Sequence, residues 1–232
     1  MKRIGLIGGL GPESTLEYYR GITEIFREKY GNHQNPEMVI YSVNLGDILK
    51  LQEAEKYDAL INIFVDIIDK LRKAGADFAA ITANTPHYIF PQISKASVLP
   101  LISIVEATCR ETLNRGYQRP GLFGTGFTMK GTFYQEVFDR YNLSLVLPSQ
   151  KEKEFLHEKI FTEIELGIFK PETHDALVNI IKRMVIADRI DSLILGCTEF
   201  PLILTGSEYA GIPMLNTTAI HTRAIVDYCL ND

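Results

Sequence analysis

The sequence lacks the features that mark several large functional classes. It has 3 cysteines, an odd number at wide spacing: Cys109, Cys197 and Cys229. That argues against a disulfide framework and for a reduced, cytoplasmic setting. No two cysteines form a CxxC pair, so a thiolate zinc site is not expected. Basic charge is not in excess: 24 Lys and Arg stand against 29 Asp and Glu, a net charge of −5. The chain therefore offers no electrostatic footprint for nucleic acid. Long apolar runs are missing too. The first, Ile4 to Leu10, is interrupted at Gly8 and Gly9 and stopped by Gly11 and Pro12. A signal peptide needs an unbroken apolar region, and a membrane span needs a far longer one. No Ser/Gly linker or low-complexity tract divides the chain.

What is present is an ordinary globular composition, 232 residues with 46% hydrophobic and 23% charged side chains. At roughly 150 residues per domain, that length allows one large domain or two small lobes. Short apolar runs alternate with longer amphipathic segments. Strands are expected at Ile4–Ile7, Met38–Val43, Phe78–Thr82, Leu99–Ser103, Pro120–Phe123, Ser144–Leu147 and Ser192–Leu195. Helices are expected over 14–28, 54–74, 104–114, 131–141, 152–166, 174–187 and 219–230. In the second of these, Leu60, Ile61, Phe64, Ile67, Ile68 and Leu71 keep a 3.6-residue period, and Gly75 stands where a helix-ending glycine belongs. Strands alternating with helices predict an α/β fold with mostly parallel sheets. Right-handed crossovers put the C-terminal strand ends along one edge, where such folds bind ligands. A weak internal repeat accompanies the alternation. Gly8 and Ala83 end strands 75 positions apart, and Thr125 and Cys197 end strands 72 apart. Two similar lobes would produce that spacing, and so would coincidence in any α/β chain.

Three strand-ending segments carry candidate chemistry. Gly8-Gly9-Leu10-Gly11-Pro12-Glu13-Ser14 opens a helix, a place where backbone amides bind anions. From Gly9 it approaches the dinucleotide fingerprint, but with Ser14 in place of a small apolar residue and Pro12 removing a donor. A carboxylate-binding turn fits better, and a merely tight turn fits as well. Thr82-Ala83-Asn84-Thr85-Pro86-His87 supplies side chains that can donate to a carboxylate or hold the loop itself. Pro86 suits a first helical position, and His87 is either structural or catalytic. Leu195-Gly196-Cys197-Thr198-Glu199-Phe200 puts a thiol at a strand tip, where a following helix dipole would lower its pKa. Glu199 would oppose that by like charge or orient a ligand amine. A free cysteine can also be a small buried hydrophobe, the reading that suits Cys109 and Cys229.

Taken in order, these motifs resemble the aspartate/glutamate racemase family of cofactor-independent amino-acid racemases. The match runs through Gly8-Gly9 with Glu13-Ser14-Thr15, Asn84-Thr85-Pro86-His87, Gly124-Thr125 with Thr128-Met129, Gly196-Cys197-Thr198-Glu199 and Thr218-Ala219-Ile220-His221. It covers nearly the whole chain. The resemblance implies two pseudo-symmetric α/β lobes with the active site between them, set here at 1–98 with 213–232 and at 99–212. It implies no cofactor, no metal and no pyridoxal phosphate, a small acidic amino acid as the partner, and a homodimer in the cytoplasm. It also implies two thiols acting on opposite faces of an α-carbon. Cys197 maps onto the second. The first falls on Ala83, which has no ionisable group, and Thr82 one residue earlier would point to the opposite strand face. A lysine found before Gly167 in some members has no counterpart, because Glu165 takes that place.

The sequence therefore leads to a racemase or epimerase acting on aspartate or glutamate with Cys197 as acid/base. Asn84, Thr85, Thr125, Thr198 and Glu199 are expected to hold the substrate, with Gly8, Gly9 and Gln52 at the rim. Ala83 marks the missing thiol. A single-thiol decarboxylase or isomerase, as in the related arylmalonate decarboxylases, and a non-catalytic carboxylate-binding protein are the alternatives.

Overall fold

The computed structural model describes residues 1–31 and 33–231. In chain order, β1 (Ile4–Gly8), α1 (Pro12–Tyr30), β2 (Met38–Ser42), α2 (Leu45–Glu53), α3 (Tyr57–Lys73) and β3 (Phe78–Ile81) come first. A 3-10 turn at Thr85–Ile89 precedes α4 (Phe90–Ala96), β4 (Leu101–Ile102) and α5 (Ile104–Asn114). Then come β5 (Pro120–Gly124), α6 (Gly126–Lys130), α7 (Phe133–Asp139) and α8 (Gln150–Thr162). After a 3-10 turn at Ile164–Leu166 and α9 (Pro171–Arg183), the chain forms β6 (Ser192–Gly196), α10 (Phe200–Ile203), β7 (Glu208–Tyr209), β8 (Ile212–Asn216) and α11 (Thr217–Leu230).

These elements form two compact units, Met1–Ala107 with Thr218–Asp232, and Thr108–Thr217. Each is built on a four-stranded sheet, in the order β2-β1-β3-β4 and β5-β6-β8-β7. All pairs are parallel except β7 with β8. A single parallel bridge joins Gly121 to Val146 outside β5. With that bridge counted as an edge, the order Val146-β5-β6-β8 repeats β2-β1-β3-β4. β1 and β5 then correspond, as do β3 and β6, so the repeat in the sequence has a topological basis. Sheet membership places the crossings later than the expected 98/99 and 212/213. β4 pairs with β3 in the first sheet, and β8 pairs with β6 in the second.

Strand periodicity explains the first unit's core. Ile4, Leu6, Phe78 and Ala80 point to one sheet face and pack with Tyr18, Ile22, Phe26, Ile225 and Val226 from α1 and α11. Ile7, Ala79 and Ile81 point to the other, against Leu60, Phe64, Ile67, Ile68 and Leu71 of α3. Alternate residues facing opposite ways, with both faces covered, are what a parallel sheet requires. In the second unit Phe123, Leu193 and Leu195 pack against Leu156 and Ile160 of α8 and Leu177 and Ile181 of α9.

The helix expected over 54–74 forms as α3 (Tyr57–Lys73). The helix before it, α2, was not expected: Asn44 caps it by accepting from the Gly46 amide at 3.0 Å, and Glu55, with a left-handed φ of 52°, separates it from α3. The helix expected over 131–141 forms as α7 (Phe133–Asp139), and the short α6 before Gly131 is additional; a Cβ on Gly131 would meet the Phe127 carbonyl at 3.0 Å. The strand Ser144–Leu147 reduces to the Val146 bridge, since Pro148 removes the next donor. β8 was unmarked in the sequence, its apolar run being interrupted by Pro213.

Two buried histidines tie strand ends together inside the first unit. His87 Nδ1 donates to the Ala83 carbonyl at 3.0 Å, and its Nε2 accepts from the Ile104 amide at 3.3 Å. His221 Nε2 donates to the Ile102 carbonyl at 3.0 Å, and its Nδ1 accepts from the Tyr18 hydroxyl at 2.7 Å. Each ring uses one nitrogen as donor and the other as acceptor, so both are neutral. His87 is thus a structural residue. Burial, reinforced by the neighbouring His221, pulls its pKa down to about 3. Burial alone lowers His221 to about 4, against the carbonyl bond that raises it.

Unfolded histidine titrates near 6.5, so both groups contribute stability above that pH and lose it as pH falls towards their folded values. Unfolding free energy should drop by up to about 1.4 kcal/mol per pH unit for each histidine on the acid side of pH 6.5. Urea melts between pH 7 and 5 on the wild type and on His87→Gln will measure it. The variant should show the shallower slope, and equal slopes would refute the assignment.

Candidate active site

The site residues gather at the C-terminal strand tips of each unit. In the first, β1 ends at Gly8 and β3 at Ile81, adjacent strands with Ile7 opposite Ile81. Gly9 follows with φ +78°, and a Cβ there would lie 2.4 Å from the Val43 carbonyl oxygen, so the turn accepts only glycine. The Gly9 amide donates to Thr15 Oγ1 at 2.9 Å, and that hydroxyl donates to the Gly11 carbonyl at 3.2 Å. The turn thus spends this donor on itself, which favours the tight-turn reading over a carboxylate cradle at Gly9. Ser14 Oγ donates to the Thr82 carbonyl at 2.9 Å and fastens the start of α1 to the β3 tip.

Ala83 and Asn84 are buried just beyond β3, and half-buried Thr85 starts the 3-10 turn with Pro86 in its first positions. The His87 amide donates to the Asn84 carbonyl at 3.0 Å, and with the His87 ring on Ala83 this fixes the loop. Gln52 is buried in the last turn of α2, the element after β2. Thr218, in the first turn of α11, has a buried hydroxyl with no hydrogen-bond partner among the described residues. An orphaned buried hydroxyl requires a reason, and a ligand oxygen is one.

In the second unit β5 and β6 end on a paired Gly124 and Gly196. A Cβ on Gly196 would stand 2.8 Å from the Phe123 carbonyl oxygen, so the two tips approach closely only as glycine. Thr125 caps α6, its hydroxyl accepting from the Thr128 amide at 3.2 Å. On the neighbouring tip Cys197 is buried and donates its thiol proton to Glu199 Oε2 at 2.9 Å. Thr198 Oγ1 donates to the same oxygen at 2.8 Å. One carboxylate oxygen therefore collects two donors, and the thiol is protonated in this arrangement.

The thiol's pKa runs opposite to the dipole expectation. Burial, then the Glu199 charge and hydrogen bond, push Cys197 well above its ordinary value, and Glu165 adds to the rise. The helix that follows, α10, is only 4 residues long, too short for its dipole to offset a carboxylate in contact. Glu165 sits in the 3-10 turn before Gly167, a turn that packs against α10. Burial of its carboxyl and repulsion from Glu199 push Glu165 up to about 7. Solvent reaches this residue and screens part of that repulsion. Sequence reasoning named Glu165 only as a replacement for lysine. Its coupling to Glu199 and Cys197 depends on a contact that no local pattern encodes.

None of the three cysteines is in a disulfide. Cys229 is buried and donates to the Lys2 carbonyl at 2.9 Å, and Cys109 is buried as well. Among the described residues no three His, Cys, Asp or Glu side chains are placed to share a metal ion, and no helix is long and apolar enough to cross a membrane.

The model of one protein family, Asp/Glu/Hydantoin racemase, matches residues 7–225. A curated relative is the broad specificity amino-acid racemase RacX of Bacillus subtilis (strain 168), 29% identical over 58% of this chain and 59% of that protein. A glutamate racemase of Caldanaerobacter subterraneus is 25% identical over 72% of this chain and 60% of its own length. The chain thus spans about three-fifths of each of these two relatives. Among solved structures, one of a putative Asp/Glu racemase from Yersinia pestis superposes with a TM-score of 0.93 at 32% identity, covering 100% of both chains. That of an aspartate racemase homologue from Pyrococcus horikoshii OT3 gives 0.88 at 35% identity, again over 100% of both.

The Cys197 surroundings make a direct prediction. Glu165→Gln and Glu199→Gln each remove a negative charge that raises the thiol, so each should lower its pKa. A drop of one unit would speed alkylation of Cys197 about tenfold at a fixed pH below the thiol's pKa. Rates followed by mass spectrometry at the Cys197 peptide test this, and unchanged rates in both variants would refute it.

Proposed function

The chain belongs to the Asp/Glu/Hydantoin racemase family, and we propose that it moves a proton at the α-carbon of an acidic amino acid, aspartate or glutamate, with Cys197 as the acid/base. One observation carries the reading: a protonated thiol at a strand tip, hydrogen-bonded at 2.9 Å to Glu199, whose carboxylate also holds Thr198. In the empty site the thiol is a proton donor. A substrate ammonium near Glu199 would cancel part of the charge that holds the thiol up, and Cys197 could then act as the base. Beside the thiol, Thr198 and, on the paired strand tip, Thr125 are donors for the substrate carboxylate, and the family resemblance adds Asn84 and Thr85. Cofactor independence, a homodimer and a cytoplasmic setting belong to the same reading and rest on the family resemblance.

The resemblance assigns proton transfer on the opposite face to position 83. Ala83 carries no ionisable group, so the proton on that face must come from water or a Thr hydroxyl, and racemisation is slow. A second reading draws on the same thiol. A cysteine whose pKa is raised is better suited to delivering a proton than to removing one. It could therefore protonate a carbanion left by decarboxylation, or one formed in an isomerisation.

L-Aspartate and L-glutamate incubated with the protein in deuterated water should gain deuterium at the α-carbon. Cys197→Ser should slow that exchange about 100-fold or more. No exchange in the wild type would overturn the racemase reading, and carbon dioxide release from a substituted malonate would establish the second. Ala83→Cys should raise the racemisation rate by restoring a thiol at position 83. A folded variant with no gain would remove the assignment of that position to proton transfer.

A further inference from the structure

The second unit holds a pocket that the proposed chemistry does not use. It has a volume of roughly 230 Å³ and lies between α6 and α8. None of its lining residues belongs to the Cys197 loop. Phe127, 40% exposed, forms an apolar wall. Lys130 and Lys153 line the same space. The acid in the pocket is already engaged, because Gln150 Nε2 donates to Glu154 Oε1 at 2.7 Å. Neither lysine side chain forms an ion pair or hydrogen bond with the described residues. Two uncommitted ammonium groups beside an aromatic face complement one kind of ligand, an anion attached to an apolar body.

His157 completes the pocket and links it to the cap of α6. Its Nδ1 accepts from the Gly126 amide at 3.2 Å, which puts the ring proton on Nε2. A Cβ on Gly126 would lie 3.2 Å from that nitrogen, so the ring rests directly on the backbone next to Thr125. Burial and the charge of Lys130 hold the His157 pKa below its ordinary value. The charged groups sharing the pocket with it are Lys130, Lys153 and Glu154.

We infer that this pocket is a binding site for a small organic anion, with its phosphate or carboxylate group between Lys130 and Lys153 and its ring or acyl body against Phe127. Occupancy is transmitted to Thr125. An anion offsets the Lys130 charge, so the imidazole takes a proton more readily. A doubly protonated ring has no acceptor for the Gly126 amide, and the turn that starts α6 loosens. Binding stands independently of the proposed reaction. Only the consequence of that loosening for substrate at Thr125 rests on it.

The test uses phenyl phosphate and benzoate as probes, with inorganic phosphate as the control, and follows the histidine ring resonances of the full chain by NMR. Phenyl phosphate or benzoate should saturate with a dissociation constant of about 1 mM or tighter, and His157 should titrate at higher pH when occupied. Whichever probe binds tighter identifies the anionic group as phosphate or carboxylate. Lys130→Gln with Lys153→Gln should weaken binding about tenfold or more. Phe127→Ala should reduce phenyl phosphate to the affinity of inorganic phosphate. The single lysine variants serve if the double variant does not fold. No saturation by either probe, or equal affinity in a folded lysine variant, would overturn the proposal. The readout is binding, so a protein without α-proton exchange tests it equally well.

Discussion

The hydrogen bond from the Cys197 thiol to Glu199 decides what proton chemistry the second unit offers. A buried thiol beside a carboxylate keeps its proton, because ionising it would set two negative charges about one hydrogen bond apart. Most of its surroundings reinforce that state, with the Glu199 backbone amide pulling the other way. Thr198 fixes the same carboxylate oxygen, and Glu165 brings a further acidic group into electrostatic range. The thiol follows directly on Gly196, which pairs with Gly124 at strand tips too close for a Cβ.

The tips of the first unit are held by hydrogen bonds that consume their own donors: Gly9 on Thr15, Ser14 on Thr82, His87 on Ala83. Each bond satisfies a buried backbone group that would otherwise cost about 1–3 kcal/mol. The loop after Ala83 is fixed in this way and carries neither a thiol nor a carboxylate, where the Cys197 loop carries both.

Much of this was legible in the sequence, and for physical reasons. Parallel strands buried on both faces produce runs such as Ile4–Ile7 and Ser192–Leu195, and α3 shows its period because one face is fully apolar. The α/β class with mostly parallel sheets follows from those patterns. What escaped depends on single residues or on distant contacts. α2 was not expected, and Glu55 divides it from α3 by adopting positive φ, which glutamate does not advertise. β8 hides behind Pro213 and β4 is only 2 residues long, so the border between the units falls elsewhere than expected. For Cys197 the sequence offered a dipole that lowers the pKa and Glu199 opposing it; the outcome was decided chiefly by burial, which local pattern does not encode, then by Glu199, with Glu165, 32 residues away, adding to it. Local propensity carries none of that information.

The sheets also end in a telling way. Each closes on its shortest strand, β4 with 2 residues in the first and β7 with 2 in the second, the latter running antiparallel. Beyond β5 the other edge of the second sheet is one bridge long and is followed by Pro148. Long parallel strands are rich in Val, Ile and Leu and would template further strands if left open at the side. Stubs of this length offer a neighbouring molecule almost no ladder to extend. The remaining margin, β2 of the first sheet, keeps 5 residues and is the one edge a neighbouring strand could extend.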